Sequence, residues 1–313
     1  MKLSSIPCSL TEARRQFDFP KKFHLDPDCC EYFSAYTEMV DLSFGVTDGS
    51  RMLAWLGVAL SPTECSFFGW PVEYIEKPDL DALIRIELRK FILSSLIEIA
   101  QGRTLHLPSL PMFGKWAALS NAKVITRLRA QIDLNLKDDE IKKSIRDSYR
   151  SLINKGMREL ETIVHVGPNV QESVLIAARD FHVKVSGRQT RSNLTWEIQY
   201  VMVTKSKAIL IEGKINGIAS TYTYIMCSQD EAYYGFGVYD RELMAQGIPL
   251  SHWPVFSAII ESRKLGMKTF ILGDVGPNFE TQKEAEIAVF KRGFTDLLVP
   301  LTTYKLNPVS LEK

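Results

Sequence analysis

The chain has 313 residues, 45% of them hydrophobic and 24% charged, with a formal net charge of +1. That length holds two ordinary domains or one large α/β domain, and the composition suits a soluble globular protein. So small a net charge supplies no bulk field to gather nucleic acid, which excludes a sequence-independent phosphate-backbone binder.

From the N-terminus, Met1 to Leu10 has no long apolar core and is soon followed by Glu12, Arg14 and Arg15, so no secretory signal is expected. Tyr36 to Gly45 and Arg51 to Leu60 read as paired strands around the turn Thr47 to Ser50, with Phe67 and Phe68 in a third strand. A helix is predicted from Pro78-Asp79 to about Gly102, with Asp79 as its N-cap and Gly102 as its stop. Its apolar run, Phe91 to Ala100, is about half of the ~20 residues a bilayer span requires, so no membrane span is expected. Thr104 to Leu107 and Val124 to Leu134 are further strands.

Between Lys137 and Leu160, apolar residues recur at three- and four-residue intervals (Ile141, Ile145, Tyr149, Leu152, Ile153, Met157, Leu160), which predicts one amphipathic helix. Asp138, Asp139 and Glu140 in its first turn complement the macrodipole. Arg150, Asn154 and Lys155 fall elsewhere on it and read as a solvated face. A boundary after this helix gives two domains, 1–160 and 161–313. Beyond it the order of elements repeats. Ala208 to Glu212 and Ile218 to Met226 flank Ile215-Asn-Gly217, a strong hairpin signal because Asn-Gly tolerates positive φ. A strand at Ala232 to Val238, a helix at about Ser251 to Leu265 and a strand around Phe270 follow. A helix opening on the capping box Thr281-Gln-Lys-Glu284 and a strand near Leu298 complete the half.

Five cysteines (Cys8, Cys29, Cys30, Cys65, Cys227) are odd in number and form no C-x-x-C pair, as expected of a reducing, cytoplasmic setting. The five histidines are scattered, so no locally built metal site is expected.

The most informative stretch runs from Asp230 to Val275. A strand rich in Tyr and Gly leads through Gly247-Ile-Pro-Leu-Ser251 into an apolar helix and then a short strand, Lys268 to Val275. Strand, tight loop, helix presents bare backbone N–H groups at a helix N-terminus, where the diphosphate of a nucleotide or of coenzyme A can bind. Alternation puts Tyr234, Phe236 and Val238 on one face of the strand, with Tyr233 and Gly235 on the other. Gly213-Lys214 lacks the upstream glycine of a phosphate loop, and Gly235-x-Gly237 lacks the third glycine of a dinucleotide fingerprint.

Several short motifs then act together. They are Ser144 to Gly156, Phe181-His182 with Ser186-Gly-Arg-Gln-Thr-Arg191 and Trp196, the Tyr-Tyr-Gly strand with Ser251-His252, the strand end Gly273-Asp274, and Phe290-Lys-Arg-Gly-Phe294. In these the chain resembles the FemAB-type tandem acyltransferases of the GNAT superfamily, over most of residues 140–300 and only weakly before. Within that superfamily it looks most like bacterial N-acyltransferases of dTDP-linked amino-dideoxysugars, the 3-hydroxybutanoyl or acyl transferase type. The resemblance implies an α/β (α+β) fold of two GNAT-like domains, each a mixed central sheet flanked by helices. It implies a cytoplasmic enzyme of surface-polysaccharide (O-antigen, lipopolysaccharide or capsule) biosynthesis. Acyl-CoA would be its co-substrate rather than a resident cofactor, and a dTDP-amino sugar, held between the halves, its acceptor. Homo-oligomerisation stays open. Two alternatives also stay open: an aminoacyl-tRNA-dependent peptidyltransferase of cell-wall synthesis, and a non-catalytic nucleotide-sugar-binding module.

Amide formation from a thioester needs a neutral amine beside the acyl carbon, a donor to the oxyanion and an exit for the proton. His182, His252 and Asp274 are the candidate proton acceptors. Tyr239, Gly247, Ile248, Leu250 and Ser251 are the candidate coenzyme A contacts, although Pro249 removes one backbone donor. Arg188 and Arg191 are candidates for a diphosphate, Trp196 for a thymine or sugar face, and Tyr234 for the substrate cleft.

Overall fold

The computed structural model describes residues 2–276, 279 and 281–307. It divides into two compact units. The first takes Met1–Pro20, Phe33–Thr126 and Leu301–Lys313, the second Lys21–Tyr32 and Arg127–Pro300. Met1 and 308–313, the ends of the domain ranges read from the sequence, lie outside the described residues.

In chain order, β1 (Ser4–Pro7) and α1 (Leu10–Ala13) precede a 3-10 turn, Phe23–Leu25, and α2 (Pro27–Thr37). Strands β2 (Val40–Asp41), β3 (Phe44–Thr47), β4 (Met52–Gly57), β5 (Ala59–Leu60), β6 (Glu64–Ser66) and β7 (Glu73–Glu76) lead to α3 (Ala82–Ala100). Then come β8 (Thr104–Pro108), α4 (Pro111–Leu119), β9 (Lys123–Asp133), α5 (Asp138–Ser144) and α6 (Asp147–Glu159). Strand β10 (Glu161–His165) is followed by α7 (Glu172–Ser186), α8 (Asn193–Thr204), β11 (Ala208–Ile215), β12 (Ile218–Cys227) and β13 (Glu231–Tyr239). The order closes with α9 (Arg241–Ala245), α10 (His252–Lys264), β14 (Thr269–Asp274), α11 (Gln282–Arg292) and β15 (Leu298–Leu306).

The first unit holds an antiparallel sheet, β1-β3-β4-β7, and the strand run β15-β8-β6-β5-β2, in which β6 and β8 are parallel. Phe44, Leu53, Leu56, Leu88, Ile92, Leu96 and Phe113 share its core. The second unit carries the order β10-β11-β12-β13-β14-β9, antiparallel except where β13 meets β14. Both units are thus mixed α/β, with sheets flanked by helices.

Several elements depart from the sequence reading. In place of a boundary near 160 the units change over at 20/21, 32/33, 126/127 and 300/301; β9, α5 and α6 go with the second unit because they bury Ile132, Ile141, Ile145 and Ile153 in one core with Ile209, Ile225 and Phe256. The single helix over 137–160 is two. Ile145 is extended (φ −78°, ψ 139°), and the Arg150 guanidinium donates to the carbonyls of Ile145 (2.7 Å) and Lys143 (3.0 Å) that the break leaves open. The N-cap of α3 is Asp81, which accepts from Leu83 N–H at 2.7 Å, while Asp79 pairs with Arg51. Phe67 makes only an isolated bridge to Trp70. The β11–β12 hairpin forms as expected, with φ of 51° at Asn216 and 77° at Gly217, and the Thr281/Glu284 capping box forms too.

Candidate active site

The site begins where two strands part. β13 and β14 pair in parallel at three positions only, Glu231 with Thr269, Ala232 with Phe270 and Tyr233 with Ile271. Past Tyr233, β13 runs on to Tyr239 and β14 to Asp274 with no register between them among the described residues. A register shift on each strand accompanies the parting: Gly235 is extra against β12, and a second shift lies between Ile271 and Gly273 against β9. Bulges of this kind raise the local twist and re-aim side chains. The wedge leaves backbone donors and acceptors on one edge of β13, which suits an amide-bearing chain laid along it and an N–H aimed at an oxyanion.

The extra residue also overturns the alternation expected for β13. Tyr234 pairs with Ile225 and Phe236 with Tyr224, neighbours on β12, so Tyr234 and Phe236 lie on opposite faces. Tyr233, Phe236 and Val238 share one face; Tyr234, Gly237 and Tyr239 share the other. Tyr234 lies against the core that includes Ile225, Val255 and Phe256. Its hydroxyl sits where any side chain on Gly237 would go, and burial pushes its phenol up. Burial also raises the Tyr239 phenol.

A short helix, α9, leads into the loop proposed for a diphosphate. Three of the loop's amides already have carbonyl partners: Gly247 N–H donates to Met244 (2.9 Å), Ile248 to Leu243 (3.2 Å) and Leu250 to Ile248 (3.0 Å). They are therefore committed to the loop's own fold. The N–H groups at the start of α10 are those of His252 and Trp253, since Pro254 has none. Ser251, the N-cap, makes no capping bond through its side chain; its hydroxyl lies 3.2 Å from His252 Nδ1. Leu250 is fully buried and Gly247 exposed. From α6, Lys155 donates to Gly247 O at 2.9 Å. A Cβ built on Gly156 would lie 2.7 Å from Trp253 Cβ and 3.2 Å from Pro249 O. Glycine at 156 thus lets α6 approach the loop closely.

At the far end of β14, Asp274 meets Arg127 at 3.2 Å and Arg129 at 3.7 Å. Arg129 stands opposite Asp274 on β9. Lys291, from α11, closes the group: a Cβ built on Gly273 would lie 2.7 Å from its Nζ and 3.9 Å from the Tyr233 hydroxyl. Burial pushes the Lys291 ammonium below the ordinary lysine range, and nearby Asp274 opposes that shift.

The other sequence candidates gather on the α7/α8 face. His182 Nε2 accepts from Arg191 at 3.1 Å. That bond assigns the ring proton to Nδ1, which is buried with no partner among the described residues. Burial, with the adjacent guanidinium second, pulls the His182 imidazole down to about 4. Its ring meets Trp196 and Phe236 edge-on at 5.8 and 5.5 Å. The Arg191 guanidinium lies over Phe236 at 4.8 Å and Trp196 at 5.8 Å. Trp196 is only 5% exposed. Arg191 and Trp196 therefore build the wall of this face together, rather than offering an open arm and an open ring. Arg188 is exposed, and its carbonyl accepts from Ser186 Oγ.

His252 stands apart from that group. It lies edge-on to Tyr149 at 4.3 Å and against Phe290 and Phe294. Burial, then Arg146, pulls it down to about 4. Both histidines are thus neutral at physiological pH, and both are weak proton acceptors. Asp274 alone of the three stands at the mouth of the wedge.

Sequence reasoning missed Arg127, Arg129 and Lys291, and read Lys155 as part of a solvated face. Lys291 lies within the Phe290 to Phe294 motif. Arg127 and Arg129 carried a readable signal, two like charges at strand spacing on β9. Among the described residues no group of three or more His, Cys, Asp or Glu could hold a metal, and no helix is long and apolar enough to cross a membrane.

These features define a class of fold before any chemistry: a mixed sheet, flanked by helices, in which two parallel strands part. No protein-family model and no curated protein matches the chain. Solved structures do. A tandem GNAT protein from the clavulanic acid biosynthesis pathway, described as without AcCoA, aligns with a TM-score of 0.60 at 12% identity, over 98% of this chain and 99% of that one. FemX aligns at 0.59 and 12%, over 95% and 98%. L-PGS from Bacillus licheniformis aligns at 0.59 and 13%, over 90% and 92%. The fold is therefore that of the tandem GNAT and FemX-like proteins, along almost the whole chain.

Proposed function

We propose that the chain is an N-acyltransferase that moves an acyl group from acyl-CoA to the amine of a nucleotide-linked (dTDP) amino-deoxy sugar, for surface-polysaccharide synthesis. The observation that carries this reading is the parting of β13 from β14. The pantetheine amides would lie along the open edge of β13, with the diphosphate at the His252 and Trp253 amides near Lys155.

In this mechanism the neutral amine attacks the thioester carbonyl. The oxyanion is held by a β13 N–H and by the Lys291 ammonium. The amine's proton passes to Asp274, the tetrahedral intermediate collapses with cleavage of the C–S bond, and Asp274 returns the proton to the leaving thiolate, so that coenzyme A departs as the thiol. Substrate approximation supplies the largest share of rate, since a deprotonated amine is already a good nucleophile. The test is thiol release from acetyl-CoA and longer acyl-CoAs with dTDP-amino sugars. Release that needs the amino sugar and yields an amide supports the reading; absence of coenzyme A binding overturns it.

Two observations favour a second reading, an aminoacyl-tRNA-dependent transferase. Three amides of the diphosphate loop are engaged within the loop, which weakens its grip on coenzyme A, and the fold is shared with FemX. Consumption of aminoacyl-tRNA, with no product from any acyl-CoA, would select it.

A further inference from the structure

Strand β10 lies at the outside of its sheet: among the described residues it pairs with β11 and with no other strand. Its residues, Glu161-Thr-Ile-Val-His165, run against β11 with no bulge, and they include no proline and no lysine. Thr162, Ile163 and Val164 are β-branched, and from Thr162 to His165 the strand is only half-buried. Every second residue of such a strand turns its N–H and C=O outward, so the open side is a template for another strand. Outer strands are ordinarily guarded by a bulge, a proline or a charge. Here the guard is charge alone, with Glu161 at one end and His165 at the other.

Both ends leave a group over. Glu161 is exposed and makes no hydrogen bond or ion pair among the described residues. Lys214 stands opposite it on β11 but goes to Glu212, at 3.7 Å. His165 is held through one nitrogen: its Nε2 lies 3.0 Å from Glu212, which also accepts from the Tyr222 hydroxyl at 3.2 Å. Its Nδ1 has no partner among the described residues. Glu161, Ile163 and His165 share one face of the strand. The segment is therefore complementary to itself. In an antiparallel pair centred on Ile163, Thr162 meets Val164, Ile163 meets its own copy, and Glu161 meets His165 at both ends.

We infer that β10 is a docking edge for β10 of a second copy of this chain, related by a two-fold axis through Ile163. Glu161 repels other acidic edges and sets the register with its own kind. A charged imidazole donates from both nitrogens, so His165 bridges Glu212 of its own chain and the partner's Glu161. Side chains directly opposed on paired strands stand about 5 Å apart at Cβ, within reach of that contact. The inference is independent of the acyl-transfer reading.

The experiment is sedimentation equilibrium of the full chain, wild type and Glu161→Lys, joined to oxidative cross-linking of Ile163→Cys. So short a strand pair makes a small interface, and the wild type should dimerise with a Kd on the order of 10 μM. Glu161→Lys turns both symmetry-related pairs from attraction to repulsion and should weaken the dimer about tenfold or more. Glu161 is exposed, so its replacement leaves the core intact; an equal thermal midpoint in dilute solution verifies that. A residue on the two-fold axis meets its copy at a Cα separation that a disulfide spans. Ile163→Cys should therefore cross-link under a mild oxidant, and adding Glu161→Lys should suppress the cross-link. The wild type, with its native cysteines, is the control. Three results overturn the inference. The first is a monomer at every concentration up to about 300 μM, whether the edge stays open or is taken by a partner of another kind. The second is a dimer that Glu161→Lys leaves unchanged. The third is a dimer in which a stably folded Ile163→Cys does not cross-link. Should Ile163→Cys lower the thermal midpoint, Glu161→Lys decides the question alone.

Discussion

His182 and His252 have the ring chemistry of a general base and the surroundings of structural groups. Each is buried against aromatic rings and pulled down to about 4 from 6.5. In the unfolded chain the same imidazoles take a proton near pH 6.5, so below that pH the unfolded state binds more protons. The stability they contribute is present above pH 6.5 and is lost as pH falls toward 4. At 1.36 kcal/mol per unit the loss is at most about 3 kcal/mol for His252, and smaller for the more exposed His182, where solvent screens it. The urea midpoint should fall between pH 7 and pH 4.5, and His252→Phe should flatten that fall. An unchanged slope would mean that the ring is hydrated and free to charge. Asp274 calls for the opposite kind of test. If it takes the amine proton, Asp274→Asn lowers kcat by about 10²- to 10⁴-fold. If it only holds Arg127 and Arg129, kcat stays within a few-fold.

At the scale of elements, local signals were legible and register was not. Asn216-Gly217 and Thr281 to Glu284 act through their own backbone, so their spacing in the sequence is enough. The bulge at Gly235 depends on how β12 pairs; a glycine inside a strand is a bulge signal, but β13 offers two, Gly235 and Gly237, and the pairing decides between them. The result is that the face of Tyr234 was misread although the strand itself was not. The α3 cap was ambiguous for a related reason: Asp79 and Asp81 both precede the helix, and the distant Arg51 engages the first. Asp81→Ala should therefore cost about 1 kcal/mol, and Asp79→Ala less, since an exposed ion pair contributes little. Helices α7 and α8 were not foreseen as elements at all, although His182, Arg191 and Trp196 were singled out from them or from the loop between. Gly156 gives the most decisive test at this scale. In a solvated helix, Gly→Ala gains up to about 1 kcal/mol. Here the methyl would meet Trp253 Cβ and Pro249 O, and overpacking costs about 1–3 kcal/mol. Gly156→Ala should lower the thermal midpoint and weaken coenzyme A together. A rise in midpoint would show that α6 yields and that the loop is not held from below.

For the whole molecule, the fold is kept at 12–13% identity over nine-tenths of the chain or more, so it rests on pattern rather than on particular side chains. The sequence disclosed that pattern as two runs of strands and helices. It did not disclose where the chain is divided, because a domain's boundary depends on which core each helix fills. The second unit is discontinuous in sequence. The segment Lys21–Tyr32 belongs to it and brings Phe23, fully buried, onto Tyr233 as a stacked pair at 4.4 Å. Asp26 and Asp28 of the same segment meet Lys207 and Lys205 at 2.8 and 2.7 Å. Phe23 N–H donates to Glu231 at 2.9 Å, at the start of β13. A fragment of residues 161–313 lacks this segment along with β9, α5 and α6, and so loses Ile132, Ile141, Ile145 and Ile153 from the core that holds Ile209, Ile225 and Phe256. That fragment should show no cooperative thermal transition, whereas the full chain should. In the full chain, Phe23→Ala should cost about 3–5 kcal/mol, the range for deleting a buried phenylalanine. If instead the fragment melted cooperatively with native-like near-UV dichroism, the second unit would be a self-sufficient domain, and the segment before residue 33 would be an accessory to its fold.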